Sequence, residues 1–259
     1  MNAVTVEHLP GHIARVTIDR AGARNAVNGE VASGLEAAVD ATEADDDVRV
    51  VVLTGAGSEA FCAGADLKEI AAGRAAALRT ERGGFGGFVF RERSKPWIAA
   101  VNGKALAGGT ELVLACDLVV AVRSAGFGLP EVKRGLVAAA GGLYRLPRAI
   151  APNIALELIL TAGELDAVRA HQFGLVNHLV DDLPALQDAA VALAGRIARN
   201  APVAVRQSLR VAREANNGLD ERALRVLSRQ AFEAVAASED FKEGPRAFIE
   251  KREPRWSGR

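Results

Sequence analysis

A chain of 259 residues with 49% hydrophobic side chains is long enough to bury a sizeable core, as one large domain or two small ones. Lys plus Arg and Asp plus Glu number 32 each, so no global field draws nucleic acid or an anionic membrane, and an anionic ligand must be met by a local cluster. The two cysteines, Cys62 and Cys116, sit in apolar contexts and form neither a metal-binding spacing nor a disulfide framework.

The opening MNAVTVEHLPGH has no basic stretch followed by an apolar one. The longest apolar run, over 112–122, is broken by Asp117 and is far below the ~20 residues of a membrane span. These features predict a soluble, cytoplasmic protein.

Residues 4–6 and 13–18 alternate β-branched side chains around Pro10-Gly11 and predict a hairpin. The polar loop RAGARNAVN leads to a helix over 29–43, where Val31, Leu35, Ala38 and Val39 keep helical spacing. After a turn at 45–47, the run 48–53 is apolar except for Arg49 and predicts a strand buried on both faces, as in an α/β protein. The following GAGSEA imitates a dinucleotide fingerprint, but no helix opens at its glycines. A helical pattern begins only at Ala65 or Asp66, so 54–64 predicts a loop delivering a helix N-terminus, with the Ala65 N–H exposed, to a ligand oxygen. Residues 74–95 are rich in Arg, and GGFGGF at 83–88 predicts a mobile loop with apolar anchors, suited to a lid or to ordinary packing.

The stretch 97–146 holds the candidate chemistry. WIAAV predicts a buried strand ending at Asn102-Gly103. Gly108-Gly109 then opens a helix, leaving free N–H groups at its start and Glu111 in its first turn. A second acid, Glu131, follows Phe127-Gly128-Leu129-Pro130. Each acid alone fits a helix-dipole or solvated role; the pair suggests acid/base chemistry. Beyond it, helices are predicted from Pro152, over 166–173, 183–199, from Pro202, over 219–237 and 241–250, with a short strand at 176–180. Strand-and-helix units up to about residue 180 and helices thereafter imply an α/β core with a helical C-terminal region. His8, His12, His171 and His178 have no assigned role, no grouping suggests a metal, and no G-x-S-x-G elbow is present.

KPWIAAVNGKALAGGTEL, FGLPEVKRG, AGGLYRLPR and the upstream AFCAGADLKEI resemble the enoyl-CoA hydratase (crotonase) family from about residue 4 onward. The resemblance implies a crotonase (ClpP-like) spiral of ββα units over 1–195 and a helical region over 196–259 that serves trimerisation and active-site cover, with trimers often paired into hexamers. It implies oxyanion donors at the Ala65 and Gly108 N–H groups, and Glu111 and Glu131 handling one water. It also implies coenzyme A contacts from Arg24, Ala26, Ala63, Asp66, Leu67 and Lys68. The substrate arrives as a coenzyme A thioester, with no other cofactor.

Three departures fall where the acyl group is expected: Ala107 in place of a first glycine, Ala138-Ala139-Ala140, and Trp97. Within the family, PRAFIEKREPRWSGR and GGFGGF also resemble carnitinyl-CoA dehydratases. Double-bond isomerases usually keep one acid, so two acids favour hydration. A catalytically silent or RNA-binding relative is the alternative of a different class.

Overall fold

A computed structural model describes residues 2–259. Its main sheet has six strands in the order Val4–Leu9, Ile13–Ile18, Val50–Gly55, Trp97–Val101, Leu118–Val122 and His178–Val180. The first two form the expected antiparallel hairpin and all later neighbours are parallel. A second sheet of four short strands runs Glu164–Asp166, Gly126–Gly128, Lys104–Leu106, Ala60–Cys62. Three times in succession the chain lays a strand in the main sheet, a shorter one in the second sheet, and then a helical turn: Leu67–Ala71, Gly108–Ala115 and Pro130–Arg134. This is the expected spiral of ββα units.

Burial on both faces explains why the inner strands of the main sheet are apolar runs rather than alternations. Val50–Gly55 and Trp97–Val101 are buried at every position. Helix Gly29–Ala44 is capped by the Asn28 side chain, which accepts from the Val31 N–H, and it buries Val31, Leu35, Ala38 and Val39. Helix Leu183–Ala198 crosses the main sheet on a stripe of Leu186, Ala190, Ala194 and Ala198, whose small side chains allow close approach.

From Pro202 onward the helices Pro202–Asn216, Glu221–Ala236 and Asp240–Glu250 bury few of their own residues. Their return to the body is fixed by polar contacts. Arg49 donates to the carbonyls of Ala198 and Trp256, each at 3.0 Å, and buried Asp240 accepts from the Ser257 N–H at 2.7 Å.

Two sequence expectations are corrected. Residues 60–62, expected within a loop, form a strand. GGFGGF is not a mobile loop: Gly83, Gly86, Gly87 and Phe88 are buried. An added Cβ at Gly87 would lie 2.1 Å from the Ala32 carbonyl oxygen, so the segment is wedged against helix Gly29–Ala44.

Candidate active site

The site is assembled at the carboxyl ends of three parallel strands of the second sheet. Cys62 lies opposite Ala105, and Leu106 opposite Gly128, so the chain leaves all three strands side by side. It delivers Gly64-Ala65 from the first, helix Gly108–Ala115 with Glu111 from the second, and Pro130-Glu131 from the third. Strand ends of this kind place residues distant in sequence around one crevice. Buried Thr110 fixes the arrangement: its hydroxyl donates to Ala105 O at 2.6 Å and accepts from the Gly128 N–H at 3.1 Å. Neither sheet spacing nor motif marked Thr110 in the sequence; only its place between the strands Lys104–Leu106 and Gly126–Gly128 gives it this role.

Ala65 and Gly108 present N–H groups that have no acceptor among the described residues. Gly64, at φ +89°, brings them together: an added Cβ there would sit 3.1 Å from the Gly108 nitrogen and 2.9 Å from the Ala107 Cβ. Of the two helix starts expected, Ala65 and Asp66, the helix takes the second, and Ala65 lies outside it. It forms a parallel bridge with Val27, and the next residue, Asp66, caps helix Leu67–Ala71. The Phe85 ring lies over Gly108, where an added Cβ would meet it at 2.3 Å.

Ala107 holds φ 52° and ψ −127°, a conformation that suits glycine and strains an L-residue. Ala107→Gly should therefore raise stability by about 1 kcal/mol, read as a higher melting temperature. A lower melting temperature would show that the Ala107 methyl contributes packing that outweighs the strain.

Glu111 is buried, and its Oε1 accepts from the Gly142 N–H at 2.9 Å. Burial is the main cause that pushes its pKa up to about 7, helped by the negative charge of Glu131 and opposed by the Gly142 and Ala140 N–H groups and by Arg145. Glu131 is half-buried and its carboxyl is likewise raised by burial; its Oε2 is buried without a hydrogen-bond partner. The structure thus brings the two expected acids within electrostatic reach. Ala138 and Ala140 are buried beside them, and Gly142 packs so tightly on Ala138 and Leu129 that an added Cβ would lie 2.9 Å from the Ala138 Cβ. Trp97, expected near the acyl group, is instead fully buried against Phe88 with ring centroids 4.9 Å apart.

The residues expected around coenzyme A lie along two segments, 24–27 and 63–68, that pair at the Val27–Ala65 bridge. Ala63 donates to the Arg24 carbonyl at 3.0 Å, Ala26 is buried, and Leu67 and Lys68 are exposed. Arg24 is exposed and lies 3.6 Å from Glu59. Asp66 pairs with Arg20 at 3.1 Å, so its carboxylate orders the loop. Two residues missed in the sequence hold this region: Arg20, which also donates to Ala26 O at 2.6 Å, and fully buried Asn25, which reaches Ala56 and Ala60. The run RNAVN carried the signal, because Arg24 and Asn25 both adopt positive φ.

A cleft of about 1120 Å³ lies at the far end of helix Gly108–Ala115 among Arg93, Cys116, Arg145 and Arg213; neither acid lines it. Both cysteines are free, with thiols pushed up to about 12 by burial. Among the described residues no group of three or more His, Cys, Asp or Glu is placed to hold a metal ion.

A model of the family "Enoyl-CoA hydratase/isomerase" matches residues 9–259. A carnitinyl-CoA dehydratase from Citrobacter koseri is 38% identical over 253 residues, covering 96% of each chain. Among solved structures, an enoyl-CoA hydratase from Mycobacterium tuberculosis H37Rv matches with TM-score 0.94 at 47% identity over 100% of both chains. A carnitinyl-CoA hydratase from Mycobacterium avium matches with TM-score 0.79 at 48% identity, also over 100% of both.

Proposed function

Because the chain belongs to the enoyl-CoA hydratase/isomerase family, we propose that it is a hydro-lyase that reversibly adds water across the double bond of a 2-enoyl-CoA, giving the 3-hydroxyacyl-CoA. The observation that carries this reading is the buried acid pair beside two unpaired backbone N–H groups.

In hydration, negative charge builds on the thioester oxygen, which the Ala65 and Gly108 N–H groups would receive. One such donor contributes roughly 3–4 kcal/mol in comparable sites. Glu111 takes a proton from the water as its oxygen bonds to the β carbon, and Glu131 gives a proton to the α carbon. Close acids titrate as a pair, and burial raises both carboxyls. With the proton on Glu131 the pair is set for hydration; with it on Glu111, for the reverse elimination. Coenzyme A would lie along Ala26, Ala63, Asp66, Leu67 and Lys68, with Arg24 near its phosphates and no further cofactor. The syn addition is that of fatty-acid β-oxidation.

Dehydration of a quaternary-ammonium acyl-CoA is the second reading, favoured by the 38% identity to a carnitinyl-CoA dehydratase. Incubation with crotonyl-CoA and with its trimethylammonium analogue, followed by loss of thioester ultraviolet absorbance, separates the two. Inertness toward both would remove the hydro-lyase reading and leave a binding protein.

A trimer or dimer of trimers belongs to the same proposal. Phe248 and Ile249 on the last helix are 86% and 78% exposed, more than a stable surface needs, and would be covered by a second copy. A monomer in sedimentation at micromolar concentration would contradict this. No helix is long and apolar enough to cross a membrane, and two unpaired cysteines suit the cytoplasm.

A further inference from the structure

The geometry points to Arg145 as a positioning residue that joins the wall carrying Phe85 to the cradle of Glu111. Its guanidinium spans two segments far apart in the sequence. Nη2 donates to the Val89 carbonyl at 2.7 Å, and Nη1 reaches the Ala140 carbonyl at 3.5 Å. Val89 follows the wedged glycine segment, and its N–H donates to Phe85 O at 3.4 Å, so the first bond fixes the segment whose ring covers Gly108. Ala140 begins the turn that aims the Gly142 N–H at Glu111, so the second bond fixes the cradle of the acid.

Arg145 also accounts for the neighbouring glycine. Gly141 lies at φ +113°, and an added Cβ would sit 2.7 Å from Nη1, so the turn is bare where the guanidinium crosses it. A planar fork with several donors can hold two carbonyls at once; a lysine ammonium is a point charge and does so poorly.

Position is joined by charge. The groups facing Glu111 are Glu131 and Arg145, and Arg145 supplies the positive charge that favours the Glu111 carboxylate against burial and Glu131. Tyr144, Cys116, Arg148 and Arg93 face Arg145 itself, which lies over the rings of Phe90 and Tyr144 at 5.7 and 5.6 Å. Arg145 touches no substrate atom in this scheme and acts through Glu111 and Phe85.

The inference rests on the hydro-lyase reading, and its test has one arm that does not. Arg145→Met should lower kcat by about 10–100-fold with little change in KM, the scale of a small misplacement of reacting groups. It should also move the acid limb of the pH–rate profile to higher pH, because the charge that favours the Glu111 carboxylate is gone. Arg145→Lys should leave that limb in place and still lose part of kcat. A carbon-13 NMR titration of the Glu111 carboxyl, assigned with Glu111→Gln, reads the same shift without turnover. An unmoved Glu111 titration in Arg145→Met overturns the proposal, even if the melting temperature falls. Wild-type inactivity toward acyl-CoA thioesters would instead sink the hydro-lyase reading and leave the titration to decide Arg145. Should Arg145→Met fail to fold, full kcat in Arg145→Lys overturns the proposal.

Discussion

Replacing Glu111 or Glu131 by Gln is expected to lower turnover by roughly 10²–10⁴-fold, with acyl-CoA binding largely kept. Gln keeps the shape, and its oxygen can still accept from the Gly142 N–H that now holds Glu111 at 2.9 Å. What it removes is proton exchange with the shared water. Because both acids act on one transition state, the double variant should cost much less than the product of the singles. Full turnover in Glu131→Gln would end the two-carboxylate mechanism.

The same substitution at Glu111 should stabilise the protein above neutral pH. Burial raises the Glu111 pKa from 4.5 to about 7, so the folded state holds a proton that the unfolded state releases. Stability from this group is undiminished below pH 4.5, falls as pH rises through that window, and is lowest above pH 7. The penalty is on the order of 3 kcal/mol. Glu111→Gln should therefore melt higher than wild type at alkaline pH, and the gap should close in acid. Lost turnover with raised melting temperature is a signature that mere unfolding cannot imitate. A helix-dipole glutamate would give near-normal turnover and changes within about 1 kcal/mol.

Gly109→Ala should be the most damaging single methyl at the site. Its Cβ would lie 1.9 Å from the Cys62 carbonyl oxygen and 2.7 Å from the carbon behind it, both backbone atoms of the buried strand Ala60–Cys62. Neither can swing aside as a side-chain tip could. Either the start of helix Gly108–Ala115 retreats, carrying the Gly108 N–H out of line, or the strand shifts. A loss of about 3 kcal/mol or more is expected, with little soluble protein at 37 °C and turnover reduced beyond the loss of folded protein. Gly195→Ala is a fair control: like Gly109 it lies in a helix without positive φ, but nothing lies within 4 Å of its added Cβ. Wild-type melting and turnover in Gly109→Ala would mean that the helix start is not gripped by the strand.

The long elements were legible in the sequence because they carry their own periodicity. Val31, Leu35, Ala38 and Val39 mark one buried helix face, and the apolar run containing Val50, Val51, Val52 and Leu53 marks a strand covered on both sides. The second sheet was not legible. Ala60–Cys62, Lys104–Leu106, Gly126–Gly128 and Glu164–Asp166 have three residues each, too short to show a period, and three are held by parallel pairing with strands far along the chain. Glu111 and Glu131 were found from their glycine-rich settings and from the resemblance. Thr110, Arg20, Asn25 and Arg145 were missed because each has a partner far along the chain, Gly128, Asp66, Ala60 and Val89 in turn. Of the two helix starts the sequence allowed, Ala65 and Asp66, the chain uses Asp66, whose side chain caps the helix by accepting from the Lys68 N–H. Trp97 was assigned to the site on its place in the motif; its ring turns into the core against Phe88.

Under the reading proposed here, the two kinds of working group at this site differ in how inheritance can alter them. The thioester oxygen is met by the peptide N–H groups of Ala65 and Gly108, and a peptide N–H is not encoded by any one side chain. Every replacement except proline retains it. The proton-handling groups, Glu111 and Glu131, are side chains that a single codon change can erase. Random drift would therefore strip or exchange the carboxylates long before it dismantled the grip on the thioester. A descendant of this protein could lose hydration and still polarise an acyl-CoA, a half-equipped state from which a different reaction on the same carrier could be selected.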